Sequence, residues 1–172
     1  MAGTLKVGTI TTPSGSGTIT IPSGVTLSGG GLDNTPAFHA SRTSAQTVSN
    51  GTDTTIIFNT EVFDTDSAYN TATGTFTVPT GKDGKYILYS AYRWQSGATF
   101  SYNHKVHKNA SEITNISGGN NSIYNSSLLF VVLDLSAGDN LAVTAFQDSG
   151  GNIDLTGSGI TTYFGGYKLI GA

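Results

Sequence analysis

The chain has 172 residues, a formal charge of −3, only 11% charged residues and no cysteine. The acidic balance leaves no basic face to neutralise phosphates, which excludes nucleic-acid binding driven by counterion release. The missing thiols exclude disulfides, thiolate zinc sites and cysteine nucleophiles together.

Val, Ile, Leu and Phe exceed one-fifth of the chain, enough for one packed domain, while Gly, Ser, Thr and Asn supply a strand-and-turn composition. The chain opens on a repeat: residues 8–16 read GTITTPSGS and residues 17–25 read GTITIPSGV. Leu5 and Val7, Ile19 and Ile21, and Val25 and Leu27 are spaced by two, as one face of a strand requires, and the Pro-Ser-Gly triplets are turn chemistry. So few apolar side chains do not hold an isolated sheet together. Residues 1–31 are therefore expected to form a β-stalk or docking segment that needs other chains; the alternative is a flexible Gly/Ser/Thr linker. No leader pattern begins the chain and no run nears ~18 apolar residues, so neither a secretory signal nor membrane insertion is expected.

Gly29-Gly30-Gly31 marks a boundary, and residues 36–172 read as one head. Strand signals recur with turns between them and no helical period appears. PAFHAS (36–41), TTIIF (54–58) and ATGTFTVP (72–79) come first, the last stopped by Pro79 and the GKDG turn. KYILYSAYRW (85–94) is a long strand with aromatics on both faces, which predicts that both faces are covered. FSYNHKVH (100–107) follows, then SGGNNSIYNSS (117–127), read as an exposed loop. LLFVVLDL (128–135), a SAGD turn, NLAVTAF (140–146) and ITTYFGGYKLI (160–170) complete the set, and the last, being apolar, is expected at the centre of a sheet. Eight to ten such strands without helices predict a two-sheet, all-β sandwich of jelly-roll type.

These pieces, in this order, resemble the globular head of complement C1q and its tumour-necrosis-factor-like relatives. Phe38 in the first strand, an Ile-x-Phe strand (Ile56, Phe58), Tyr69 before a Gly-x-Phe-x-x-Pro strand (Gly74, Phe76, Pro79) and a Gly-x-Tyr strand (Gly84, Tyr86) carry the resemblance. So do Leu135, Gly138 and Asp139 in the late turn, and Phe164, Gly166 and Tyr167 in the last strand. The resemblance implies a ten-strand jelly roll that forms a homotrimer on an elongated stem, and it implies binding, not catalysis. The stem position here holds the GTIT-PSG repeat in place of a collagenous Gly-X-Y run. In that respect the chain is similar to fibre, spike or capsid-decorating proteins of tailed bacteriophages, which implies a virion protein assembled in the host cytoplasm. Residues 1–31 would then meet other virion proteins, and the head a host surface glycan or protein. The alternatives are a glycan-degrading tailspike and a non-viral C1q-like lectin or adhesion module.

Catalytic and metal chemistry is thinly represented. His104 and His107, three apart on a strand, point to opposite faces and do not chelate one ion together. Asp64, Asp66, Asp139, Asp148 and Asp154 stand in turn contexts that suit backbone capping. No calcium-loop spacing, phosphate loop or nucleophile elbow is present, so no cofactor, metal or catalytic residue is assigned. Five glycosylation sequons, at Asn50, Asn109, Asn115, Asn120 and Asn125, are read as by-products of composition. Candidate surface-binding residues are Arg93 and Trp94, an Arg beside an aromatic that suits a sugar ring, with a buried plug as the alternative for Trp94. Asn120, Asn121 and Tyr124, and Asp148, Asn152 and Asp154, are candidates from two polar segments.

Overall fold

The structure, a computed structural model, describes residues 34–170 together with Ser23, so the expected stalk at 1–31 lies outside the described residues. Thirteen strands and no helix are found among them. A five-stranded antiparallel sheet has the order β10 (Ser126–Leu135), β7 (Gly84–Arg93), β13 (Tyr163–Lys168), β1 (Ala37–Ser41), β4 (Thr60–Asp64). The second sheet runs β5 (Tyr69–Asn70), β6 (Thr75–Thr77), β11 (Asn140–Gln147), β8 (Phe100–Lys108), β9 (Ser111–Asn120), with β3 (Thr54–Thr55) also on β11. A short pair joins β12 (Ile153–Leu155) to β2 (Gln46–Val48). The two large sheets pack face to face as a jelly roll, and β13 takes the central place expected of an apolar C-terminal strand.

The residues that carry the family resemblance lie where the sheets meet. Phe38 stacks on Phe76 at 4.5 Å and on Tyr69 at 5.4 Å, with Phe164 edge-on at 5.0 Å. Tyr86, Leu88, Ile56 and Phe58 are fully buried beside them. Gly74 is required by its surroundings: its φ is +73° and an added Cβ would stand 2.5 Å from the Ile56 carbonyl oxygen. Asp139 closes the SAGD turn, its carboxylate accepting from Ser136 N at 2.8 Å, Asn109 Nδ2 at 2.8 Å and Lys108 Nζ at 2.6 Å. Lys108 is the largest of the influences that hold this carboxyl down to about 2.

A polar clamp crosses the core. His104 of β8 is fully buried; its Nε2 lies 2.8 Å from Ser90 Oγ on β7 and its Nδ1 3.0 Å from Ser127 Oγ on β10. A neutral imidazole has one N–H and one lone pair, so one serine accepts and the other donates. Burial pushes the imidazole down to about 3, which keeps it neutral. His107 stands on the opposite, outer face, its Nε2 3.1 Å from Thr144 Oγ1.

Several expected elements differ. Residues 117–127 are not one exposed loop: β9 runs to Asn120, and β10 starts at Ser126. Of TTIIF only Thr54–Thr55 is a strand; beyond it Ile56 N still donates to Val143 O at 2.9 Å, while the Gln46 side chain binds the other edge, donating to Thr55 O at 2.7 Å and accepting from Ile57 N at 2.9 Å. Asp154 lies in β12, not in a turn, and binds a side chain, Thr47 Oγ1, at 2.6 Å.

Candidate functional site

The outer face of the five-stranded sheet is the most unusual surface of the head. Strand register places Phe130, Tyr89, Gly165, His39 and Phe63 in one row across all five strands. Val132, Ile87 and Tyr167 form the adjoining row on one side; Leu128, Ala91 and Tyr163 form that on the other. Leu128 and Phe130 are each 61% exposed and Val132 is 51% exposed, on an edge strand whose alternate residues Ser127, Leu129 and Leu135 are buried in the core. The period of two thus explains the near-continuous apolar run: one half of it fills the sandwich and the other half faces outward.

Aromatic rings fill the centre of this face. His39 Nδ1 is 3.1 Å from the Tyr89 hydroxyl, and its ring lies 5.5 Å from Tyr163 and 6.2 Å from Phe63. Gly165 makes room for them, since a Cβ there would be 2.5 Å from the end of the Tyr89 ring. The outer face of the other sheet contrasts with it: Lys105 pairs there with Asp53 at 2.9 Å and Glu112 at 3.2 Å, as a solvated face does.

The sequence candidates separate into groups. Arg93 and Tyr124 meet, with the guanidinium 4.7 Å over the ring. Trp94 does not join them, which corrects the reading of an exposed Arg-Trp pair: successive strand residues face opposite ways, and Trp94 is fully buried against Tyr92 at 5.4 Å and Phe100 at 5.2 Å. Asn120 is likewise not a surface residue, because its Nδ2 points inward and donates to Ser96 O at 3.0 Å and Ala98 O at 2.6 Å. Asn121 is exposed. Asp148 caps the start of β8, accepting from Ser101 N at 2.6 Å. Asn152 and Asp154 share a cavity of about 500 Å³ with Thr47, Gln95, Ser96 and Ile153. Gln95 and Thr47 escaped the sequence reading because they come from distant segments: the β2–β12 pairing brings Thr47 to Asp154, and the Trp94–Leu155 bridge with the Gln95 N to Asp154 O hydrogen bond brings Gln95. Among the described residues no group of three or more His, Asp or Glu is placed to hold a metal ion.

The model of the C1q domain matches residues 37–169. The chain belongs to the C1q domain family. C1q and tumour-necrosis-factor-like domains form homotrimers and are typically binding or structural modules without catalytic activity. Among solved structures, murine APRIL is 20% identical with a TM-score of 0.59, covering 77% of this chain and 98% of its own. The globular domain of zebrafish complement 1qA is also 20% identical, with a TM-score of 0.53, covering 78% of this chain and 97% of its own. At this identity the likeness is one of fold. No curated protein matches the chain in sequence.

Proposed function

We propose that this C1q-domain protein is a homotrimeric structural component of a tailed-phage virion, a small fibre, spike or capsid-decorating protein whose head meets a host surface. The observation that carries the assembly is the aromatic outer face of the five-stranded sheet. Leu128, Phe130 and Val132 sit beside Tyr89, His39 and Phe63 without cover in one chain. Burying the roughly half of each of the first three that is still exposed contributes about 1–2 kcal/mol apiece. Tyr and His at the centre of such a face supply hydrogen-bonding tips that fix one mode of packing.

The virion setting rests on residues 8–25, whose GTIT-PSG repeat stands in the sequence where family members carry a stem. Localisation to the particle, and attachment of residues 1–31 to other virion proteins, belong to this proposal. Gold-labelled antibody against the head, applied to purified particles, tests it: labelling that is lost when residues 1–28 are deleted supports a virion dock. Particles that never carry the chain would leave the non-viral C1q-like adhesion module as the better reading.

A further inference from the structure

We propose that the cavity bounded by β2, β12 and the connection from β7 to β8 binds an uncharged saccharide. The cavity is open to solvent, has a volume of about 500 Å³ and is lined by Thr47, Gln95, Ser96, Asn152, Ile153 and Asp154. Its frame is preformed: Gln95 N donates to Asp154 O at 2.8 Å, Thr156 N donates to Arg93 O at 2.8 Å, and Asp154 pairs with Thr47 across the β2–β12 ladder. Three segments far apart in sequence are thus fixed around one opening.

The lining suits vicinal hydroxyls. One oxygen of Asp154 accepts from Thr47 Oγ1 at 2.6 Å, which orients the carboxylate and leaves its other oxygen to accept from a ligand hydroxyl. The side chains of Gln95 and Asn152, both exposed, make no hydrogen bond within the described residues, and each offers a donor and an acceptor. Ile153, between Asn152 and Asp154 in the chain, is buried in the core, so the lining offered to a ligand is mostly polar. No Lys or Arg lines the cavity and its one formal charge is negative, so a carboxylated or phosphorylated sugar is repelled.

Position favours the same reading. Lys168 N donates to Pro36 O at 3.1 Å, and Lys82 Nζ to Thr35 Oγ1 at 2.9 Å, so the join to the N-terminal segment lies at the Gly84 end of β7. Gln95 follows the other end of that ten-residue strand, about 30 Å away. A second cavity, of about 520 Å³, lies at the joined pole, where Asp66 is already engaged by Thr65 Oγ1 at 2.6 Å and by Lys82 at 3.6 Å. The cavity that holds the oriented Asp154 carboxylate is the one facing away from the N-terminal join. This inference deepens the proposed host-surface role and rests on reading the head as a binding module.

The test uses the full-length protein on immobilised neutral hexose and N-acetylhexosamine oligosaccharides, beside sialylated and uronic-acid chains of equal length. We expect binding to the neutral set only, weakened about tenfold by Asn152→Ala and by Asp154→Asn, each removing one ligand hydrogen bond. Thr71→Ala, in the opposite cavity, should bind as the wild type does. Circular dichroism confirms that the variants fold. Absence of neutral-saccharide binding, or preference for acidic chains, overturns the inference; binding undiminished by both variants overturns the site. In each of these cases, trimer formation and particle labelling, measured separately, still decide the proposed function.

Discussion

Acidification should weaken this fold chiefly through His104. The folded imidazole is held down to about 3, from an ordinary value near 6.5, by burial. Between those values the unfolded chain takes up a proton that the folded chain refuses. The stability His104 contributes is therefore fully present above pH 6.5 and is lost as pH falls from 6.5 towards 3, with a slope of about 1.4 kcal/mol per pH unit. At pH 5 the loss is about 2 kcal/mol. Between pH 7.5 and 5 carboxylates do not obscure the effect, since Asp139, held down to about 2, and Glu112, lowered by its hydrogen bonds to Asn115 and Lys105, lose their contributions only as pH falls below their ordinary values of 3.8 and 4.5. His39 is also lowered by burial and acts in the same direction, so the comparison must be with a variant. His104→Gln keeps hydrogen bonding to Ser90 and Ser127 but does not titrate. Urea unfolding from pH 7.5 to 5 should show the variant less stable at neutral pH yet flatter with pH by about one proton. Identical slopes for wild type and variant would refute the buried neutral clamp.

Three further substitutions test local physics by thermal or urea unfolding. Ala110→Gly should stabilise by about 1 kcal/mol, because Asn109 and Ala110 form the turn from β8 to β9 at φ +52° and +66°, and glycine adopts the second without strain. Gly74→Ala should destabilise by roughly 3 kcal/mol, from positive φ and from the Ile56 carbonyl oxygen only 2.5 Å from the new Cβ. Asp139→Ala should cost about 2–3 kcal/mol by removing the acceptor of Ser136 N, Asn109 and Lys108 together, and its effect should fade as pH falls from 3.8 towards 2 and the wild-type carboxyl approaches protonation.

Strands with a buried, alternating face were legible: KYILYSAYRW became β7 and FSYNHKVH became β8 with ends shifted by one residue. The C1q-like pattern was legible because Phe38, Tyr69, Phe76 and Phe164 form a single stacked cluster whose order and spacing the fold constrains. The all-β jelly roll followed from these pieces. β9 was missed in part because SEITNISGGN is polar and exposed along most of its length, so no hydrophobic period marks it. β4 was missed because none of its residues is buried, and β12 because its three residues are too few to show a period. The face of each apolar residue in LLFVVLDL was not legible, since a run without alternation does not say which half enters the core; pairing with β7 decides that. The Arg93-Trp94 pair failed as a joint site for the same reason, and the Thr47 and Gln95 parts of the cavity depend on long-range pairing.

The account depends most on the aromatic outer face being covered by other copies of the chain. Sedimentation equilibrium of the wild type beside Phe130→Asp measures this directly. A wild-type mass near three times the 17.8 kDa chain, falling to one chain when a charge is placed on this face, is the predicted result. A folded wild-type monomer, or a trimer that Phe130→Asp leaves intact, would contradict it.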